Sequence, residues 1–234
     1  MLRLLTFDLD GTLVDTAAEI AQAVHLTFDD FALARRSEDE IIGQIGRGTR
    51  ELMLKLMARV LIAQPSLADR LEFDTVMTRF DQRYAETAGS RARPYPGCQA
   101  MLERLRKHGI GLACVTNKEQ RHAERVLQAT GLAGYFTLVV GGDTLPVKKP
   151  DAGVLAHVLR EYRVGPHEAA HVGDSSIDVQ TARNAGVRAW AVPYGYNGGV
   201  PVADARPDRL FDHLATIADH VLRDDAETAN KEAA

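Results

Sequence analysis

Short apolar runs, separated by segments of helical pattern, constrain the fold of this chain more than any other feature. We predict strands at residues 4–7, 111–116, 138–141, 169–172 and 189–192. Their apolar residues are consecutive rather than alternating, which is typical of parallel strands covered by helices on both faces. Helical patterns lie between the later runs, at residues 101–107, 120–130, 152–162 and 177–184. The sequence therefore predicts an α/β fold with a doubly wound parallel sheet.

Residues 16–93 interrupt this alternation. Apolar residues at helical spacing predict helices at 17–34, 49–63 and 71–85, and no convincing strand is present. Ser37 and Glu40 predict a capping box, in which each side chain binds the backbone N–H of the other residue. We therefore expect an all-helical domain of residues 16–93, inserted into an α/β core formed by residues 1–15 and 94–234.

Composition and charge narrow the classes of partner. The 234 residues include 28 basic and 32 acidic side chains, a formal net charge of −4, without the basic stripe of a nucleic-acid-binding surface. No apolar run approaches the ~20 residues of a membrane-spanning helix, and Arg3 and the aspartates after it break the pattern of a signal peptide. Cys98 and Cys114 are too few for a disulfide framework. We expect a cytoplasmic protein that binds neither nucleic acid nor membranes, with monomer and homodimer both open.

Polar and charged side chains follow four of the predicted strands. Because ligands bind at the carboxyl ends of strands in parallel α/β sheets, we expect these side chains to meet in one crevice. Oxygen-only clusters of carboxylates prefer a hard cation such as Mg²⁺, and a carboxylate beside it can act as a covalent nucleophile toward phosphorus. The set therefore suits phosphoryl transfer on a small phosphorylated metabolite. Its members are Asp8, Asp10, Gly11 and Thr12, then Thr116 and Asn117, then Lys149, and finally Asp174 and Asp178.

Each of these residues also has a purely structural interpretation. Aspartates are favoured in turns at the ends of strands, Thr116 and Asn117 could cap the helix that follows, and a lone lysine such as Lys149 is more often solvent-exposed. Asp174 and Asp178 form a second acidic cluster, and Lys149 can supply a positive charge. Both observations favour a catalytic or metal-binding role over turn formation for Asp8 and Asp10. Gly11 would permit a tight turn with close backbone approach to a phosphate.

Four motifs resemble those of the haloacid dehalogenase superfamily, in its phosphatase branch. The stretch DLDGTLVD at residues 8–15 resembles the first motif, and Thr116 the second. Lys149 with Pro150 resembles the third, and Gly173-Asp174 with Asp178 the fourth. All four occur in the order of the family, and the helical insertion matches the position of the cap domain in one class of this superfamily.

The resemblance implies a role for each matched residue. Asp8 would be the nucleophile and Asp10 the general acid and base, while Thr116 and Lys149 would stabilise the phosphate. Apart from the resemblance, Thr12, Thr116 and Asn117 would supply neutral donors for the substrate by their residue type. Mg²⁺ would be held by Asp8, the backbone carbonyl of Asp10 and Asp174, with Asp178 as a ligand or as support through water.

Two further segments bear on the substrate. Residues 192–199, VPYGYNGG, and residues 147–150, VKKP, are similar to bacterial phosphoglycolate phosphatases, a family within the superfamily. This resemblance implies hydrolysis of 2-phosphoglycolate. Arg47 lies in a glycine-rich loop between two predicted helices. It would either pair with the substrate carboxylate or be an ordinary surface arginine. A phosphatase or phosphomutase for a sugar phosphate, nucleotide or pyrophosphate, a dehalogenase, and a catalytically silent phosphate-binding protein are the alternatives.

Overall fold

A parallel sheet of six strands forms the centre of the computed structural model, which describes residues 1–232 and the side chains of residues 1–223. The sheet has the order β5-β4-β1-β6-β7-β8, and all of its pairs are parallel. These strands are β1 (Leu4–Phe7), β4 (Gly111–Val115), β5 (Leu138–Val140), β6 (Ala169–Gly173), β7 (Arg188–Ala191) and β8 (Arg209–Leu210). The short strands β2 (Val14–Asp15) and β3 (Arg93–Pro94) pair antiparallel outside this sheet.

Strand β1 lies at the switch point of the sheet, where the strands that follow are added first on one side and then on the other. Strands β4 and β5 extend the sheet on one side of β1, and β6 to β8 extend it on the other. Open parallel sheets bind ligands at such a switch point, beyond the carboxyl ends of the strands. The residues directly after β1, β4 and β6 are therefore the ones that the topology brings together.

Helices cover both faces of the sheet, as the uninterrupted apolar strands predict. Successive residues of a strand point to opposite faces, so Leu4 packs in one hydrophobic cluster with Val158 and Val179, whereas Leu5 packs in another with Leu102 and Ile217. The core helices are α5 (Cys98–Lys107), α6 (Gln120–Ala129), α7 (Ala152–Tyr162), α8 (Ser176–Asn184) and α9 (Ala215–Glu232). The predicted doubly wound α/β fold is confirmed, and each predicted strand overlaps an observed one.

Four helices between β2 and β3 have a hydrophobic cluster of their own. They are α1 (Ala17–Asp30), α2 (Glu38–Ile42), α3 (Thr49–Ala63) and α4 (Phe73–Thr87). Phe28, Leu56 and Phe80 are fully buried in this cluster, which contains no residue of the six-stranded sheet. The helical insertion is thus present, and it is called the cap below. The exact domain boundaries at residues 16 and 93 stay a prediction.

The predicted capping box of α2 is only half correct. The hydroxyl of Ser37 accepts the backbone N–H of Glu40 at 3.2 Å, as expected. The Glu40 carboxylate does not return the interaction, because it accepts from the Arg59 guanidinium at 2.9 Å instead. A charged partner on α3 thus takes the place of the backbone N–H.

None of the described helices combines the length and the apolar character that crossing a lipid bilayer requires.

Candidate active site

Three buried aspartates form an acidic cluster at the carboxyl end of the sheet. Asp8 follows β1, Asp174 follows β6, and Asp178 lies in the first turn of α8. One carboxylate oxygen from each lies within 4.8 Å of the others, and all three residues are buried. The structure thus brings together three acids that lie up to 170 residues apart in the sequence.

Lys149 lies inside the acidic cluster and is itself buried. Its Nζ lies 2.8 Å from Asp8 Oδ1 and 2.6 Å from Asp178 Oδ1. Burial alone would lower the pKa of Lys149, but Asp178 and Asp8 outweigh it and raise the pKa above the ordinary value. Lys149 is therefore the fixed positive charge of this cluster.

Asp178 is the best satisfied of the three acids. Besides Lys149, it accepts from the Ser175 backbone N–H at 3.1 Å and the Ser175 hydroxyl at 2.6 Å. His171 Nε2 lies 3.4 Å from its Oδ1. Burial would raise the pKa of Asp178, yet Lys149 and His171 bring it below its usual range. Asp178 is thus held as a carboxylate by the protein alone.

At Asp8 and Asp174, neighbouring positive charges do not outweigh the effect of burial on the pKa. Burial raises the pKa of Asp8 despite Lys149. Burial, reinforced by Asp178 and Asp8, raises the pKa of Asp174 well above its ordinary value. Three carboxylates face one lysine in this cluster, so a formal charge of −2 is left uncompensated.

The cluster fits a divalent cation such as Mg²⁺ on two observations. Its donors are carboxylate oxygens, which suit a hard cation. Asp8 Oδ1 is buried and accepts no well-aligned hydrogen bond, although Lys149 lies near it. Buried polar atoms are rarely left without a partner. Each of Asp8, Asp174 and Asp178 offers an oxygen to such an ion, and Asp8 is the one with a buried oxygen that lacks a partner. The role of Asp178 as a ligand or as support through water stays a prediction.

Asp10 does not join the acidic cluster, because its side chain is bound by Lys118. Lys118 Nζ donates to Asp10 Oδ1 at 2.8 Å and to Oδ2 at 2.9 Å. The Thr16 hydroxyl donates to Asp10 Oδ1 at 2.7 Å, and the ring of Tyr84 lies 4.9 Å from Lys118 Nζ. The metal-ligand role of Asp10 through its backbone carbonyl stays a prediction, since the acidic cluster comprises Asp8, Asp174 and Asp178.

Lys118 is a candidate site residue that sequence reasoning missed. Its side chain is only 1% exposed, and its backbone N–H donates to the Thr116 hydroxyl at 3.2 Å. It is the third residue after β4, directly beyond the predicted pair Thr116-Asn117. Its position at a strand end was therefore a signal in the sequence, although a single lysine there is not specific.

Thr116 and Asn117 lie in the crevice as predicted from their position after β4. Both are buried. The Asn117 amide donates to the backbone carbonyls of Gly46 and Lys149, at 3.1 Å each. Asn117 thus connects the cap loop to the loop that carries Lys149, and its predicted role as a substrate donor stays a prediction.

Gly11 and Thr12 lie beside Asp174. Gly11 has a φ of +83°, and a Cβ there would lie 2.3 Å from Asp174 Oδ2, so the turn requires glycine. The fully buried Thr12 donates its hydroxyl to Asp174 Oδ1 at 3.2 Å. The two residues shape the surroundings of Asp174, and contact with a substrate stays a prediction.

Arg47 borders an open surface pocket together with Lys148 and Lys149, and its pairing with a substrate carboxylate stays a prediction. Its side chain is 54% exposed, and its Nε lies 3.6 Å from Oε1 of Glu51, four residues further along the chain. The carbonyl of Arg47 accepts from Lys148 Nζ at 2.8 Å. The surrounding loop reaches the crevice, but the Arg47 side chain is turned toward solvent.

A cavity joins the core residues to the cap. It measures about 380 Å³ including its opening to solvent. The cap contributes Ile20, Ile45 and Leu52 together with Gly46, Gly48 and Thr49, and the core contributes Asp8, Asp10, Thr116, Asn117 and Lys118. Among the described residues that line this cavity, Lys118 is the one with a cationic side chain.

Tyr196, in the segment 192–199, fixes the start of the cap. Its backbone N–H donates to Asp174, and its hydroxyl donates to Asp15 Oδ1 at 2.5 Å. The same hydroxyl accepts from the backbone N–H groups of Thr16 at 2.8 Å and Ala17 at 2.9 Å. Tyr196 therefore links the acidic cluster to the first linker of the cap.

Glu19 is a buried acid at the second linker. Its Oε2 accepts from the backbone N–H groups of Gly89 at 2.9 Å and Arg91 at 3.4 Å. Burial raises the pKa of Glu19 to about 7, with Lys118 opposing and Asp10 reinforcing the shift. Its charge state therefore changes near neutral pH, at the point where the chain leaves the cap.

Comparison with known proteins places this architecture in a family. The family of haloacid dehalogenase-like hydrolases matches residues 5–192. The phosphoglycolate phosphatase of Vibrio vulnificus is 35% identical over 221 residues, covering 94% of this chain and 96% of that protein. The phosphoglycolate phosphatase of Nitrosospira multiformis is 38% identical over 207 residues, covering 88% and 90%.

A solved structure agrees with these relatives. It is of a predicted phosphoglycolate phosphatase from Haemophilus somnus, and it superposes with a TM-score of 0.88 at 31% identity, covering 94% of this chain and 98% of that one. The resemblance indicated by the four sequence motifs is confirmed. The chain therefore belongs to the haloacid dehalogenase-like hydrolases, and it is an enzyme of their phosphatase branch.

Proposed function

We propose that this enzyme hydrolyses 2-phosphoglycolate to glycolate and phosphate, with Mg²⁺, through an aspartyl-phosphate formed on Asp8. The observation that carries the proposal is the buried cluster of Asp8, Asp174 and Asp178 around Lys149, which leaves a formal charge of −2. A bound Mg²⁺ would balance that charge and stabilise the negative charge of the phosphoryl group.

The first half of the reaction transfers the phosphoryl group to Asp8. A carboxylate oxygen of Asp8 attacks phosphorus, and the bond from phosphorus to the glycolate oxygen breaks. Asp10 gives its proton to that oxygen, which leaves as the hydroxyl of glycolate. Lys149, 2.8 Å from Asp8, faces the negative charge that the phosphoryl group brings into the cluster.

The second half returns the enzyme to its starting state. Asp10 takes a proton from a water molecule whose oxygen attacks phosphorus. The bond between phosphorus and Asp8 breaks, and phosphate is released. The two aspartates therefore have different tasks, and their different partners, Lys149 for Asp8 and Lys118 for Asp10, agree with that division.

The cavity wall supports a small substrate without many hydroxyl groups. The cap contributes the apolar side chains of Ile20, Ile45 and Leu52 to the lining. The hydroxyl of Thr49, which also lines the cavity, already donates to Glu119. A sugar phosphate would leave its hydroxyl groups without partners against this wall, which is costly for buried polar groups. The names of the relatives at 35% and 38% identity agree with 2-phosphoglycolate.

A substrate panel tests the proposal. Phosphate release from 2-phosphoglycolate is compared with release from glucose 6-phosphate, a nucleoside monophosphate and pyrophosphate, each with Mg²⁺ and with EDTA. We expect the highest kcat/KM for 2-phosphoglycolate and no turnover in EDTA. A higher kcat/KM for a sugar phosphate, or turnover without a divalent cation, would contradict the proposed substrate or the proposed metal.

A further inference from the structure

We propose that Lys118 binds the carboxylate of the substrate, and that it does so by exchanging its present partner, the Asp10 carboxylate, for it. This inference rests on the proposed function and names the group that selects the substrate.

The first observation is that Lys118 occupies both oxygens of Asp10. Its Nζ lies 2.8 Å from Oδ1 and 2.9 Å from Oδ2. A general acid must present a proton from one of its oxygens to the leaving group. Lys118 on both oxygens and the Thr16 hydroxyl on Oδ1 fill three of the about four lone-pair positions of Asp10, so release of Lys118 would open positions for the proton and the leaving group.

The second observation is that the buried ammonium of Lys118 needs an anionic partner. Asp10 is that partner now, and Glu19, another acid near Lys118, is bound through Oε2 to the backbone N–H groups of Gly89 and Arg91. The Lys118 side chain is 1% exposed, and a buried charge without a partner is strongly unfavourable. The ring of Tyr84, with its centroid 4.9 Å from Nζ, offers an attractive face but no negative charge. A second anion that enters with the substrate would supply the missing partner.

The chemistry of 2-phosphoglycolate places its carboxylate at this point. The bridging oxygen that takes the proton from Asp10 is joined to the carboxylate through a single CH₂ group. When the bridging oxygen lies against Asp10, the carboxylate is therefore beside Asp10 as well. Lys118 is the one cation in the described lining of the cavity there.

The predicted alternative, Arg47, lies elsewhere. Its guanidinium is paired with Glu51, and its side chain is 54% exposed. Its side chain is not part of the lining that includes Asp10 and Lys118. The exchange at Lys118 needs only a change of partner by one side chain.

The test compares 2-phosphoglycolate with ethyl phosphate, which has the same length but a methyl group in place of the carboxylate. The variant Lys118→Gln keeps an N–H donor for Asp10 and removes the charge. We expect its kcat/KM for 2-phosphoglycolate to fall about 10²- to 10³-fold, as for the loss of one partner of a buried charge pair. We expect no such loss for ethyl phosphate, which brings no carboxylate to draw Lys118 from Asp10, and its kcat/KM should stay the same or rise.

Two further variants make the result specific. Lys118→Arg keeps the charge and is expected to retain most of the preference for 2-phosphoglycolate. Lys55→Gln removes an exposed lysine of the cap that pairs with Glu51, and it should leave both substrates unaffected. A loss confined to 2-phosphoglycolate in Arg47→Gln, with the preference intact in Lys118→Gln, would overturn the inference in favour of Arg47.

The outcomes also separate this inference from the proposed function. Equal losses on both substrates in Lys118→Gln would show that Lys118 acts only on Asp10, and would overturn the inference while the wild-type preference for 2-phosphoglycolate stands. A wild-type enzyme with no preference for 2-phosphoglycolate over ethyl phosphate would overturn the inference together with the proposed substrate.

Discussion

Two buried lysines divide the active site into two ends with different charge balance. Lys149 faces the acidic cluster of Asp8, Asp174 and Asp178. Lys118 forms its ion pair with Asp10 and holds both of its oxygens. Both lysines are buried at the same edge of the sheet, yet Lys149 lies among three carboxylates whereas Lys118 forms an ion pair with one.

The difference indicates which end would hold the proposed metal ion. A balanced pair in a buried site is complete without further ions, whereas unpaired buried carboxylates are unfavourable. The Lys149 end therefore suits a divalent cation and the phosphoryl group, and the Lys118 end suits proton transfer and the organic part of a substrate. The predictions below change one end at a time.

The largest effect is expected from Asp8→Asn. The amide keeps the size of the side chain but cannot form the acyl phosphate, so we expect turnover to fall by about 10⁴-fold or more. The fold should be retained, because asparagine removes a charge from an overcharged cluster. Steady-state kinetics and circular dichroism measure the two properties.

The control for this variant is Asp69→Asn, at an exposed position of the cap. It should have the activity of the wild type. Appreciable residual turnover in Asp8→Asn, beyond what contaminating phosphatases explain in a mock preparation, would rule out Asp8 as the nucleophile.

Lys149→Met should lower stability strongly. The change leaves Asp8 and Asp178 without their shared counter-charge, and loss of one partner of a buried ion pair costs about 3–5 kcal/mol. Urea denaturation in EDTA measures the free energy of unfolding. The neighbouring Lys148 is exposed, so Lys148→Met should change the free energy by only about 0.5 kcal/mol. Equal effects of the two substitutions would mean that the cluster does not depend on Lys149.

Mg²⁺ should stabilise the wild type through the acidic cluster. An ion that binds only the folded state contributes about 2.7 kcal/mol at a concentration of 100 times its Kd. Asp174→Asn removes one proposed ligand and should reduce this stabilisation at the same Mg²⁺ concentration, whereas Lys118→Gln at the other end should not. Thermal denaturation across a Mg²⁺ series distinguishes the two. An unchanged response in Asp174→Asn would remove that residue from the metal site.

The smallest effect is expected at Glu19, where pH is the variable. The pKa of this acid is raised by burial from 4.5 to about 7 in the folded state. Between these values the folded state binds more protons than the unfolded chain, so stability falls as pH rises from about 4.5 through 7. Relative to Glu19→Gln, the wild type should lose about 2 kcal/mol between pH 5 and pH 8.

Urea denaturation of both proteins at the two pH values measures this difference. Glu161→Gln, at an exposed position of α7, is the control and should show the same pH dependence as the wild type. A constant difference between the wild type and Glu19→Gln would show that Glu19 has the same proton affinity in the folded and unfolded states.

Much of the fold and of the Lys149 end could be predicted from the sequence. Uninterrupted apolar strands fix a parallel sheet, and a parallel sheet brings the residues after β1 and β6 to one edge. Asp8, Asp174 and Asp178 accordingly lie together. The placement of these three residues in space depends on local sequence patterns and on the topology of the sheet. Both can be inferred from a single sequence.

The Lys118 end could not be predicted in the same way. Whether the third residue after a strand faces the crevice or the solvent depends on how the loop turns, and that is set by contacts distant in sequence. Lys118 faces inward to meet Asp10, 108 residues away. The Arg47 side chain is mostly exposed, and Glu51, in the first turn of α3, pairs with it.

The central claim, that Asp8 at the overcharged end carries the phosphoryl group while Asp10 moves protons, is tested most directly by trapping the intermediate. The enzyme is mixed with 2-phosphoglycolate and Mg²⁺, quenched in acid during turnover, and digested for tandem mass spectrometry. We predict one phosphoryl group on Asp8 in the wild type and none in Asp8→Asn. A phosphoryl group on Asp10, or an unmodified Asp8 during rapid turnover, would contradict the account.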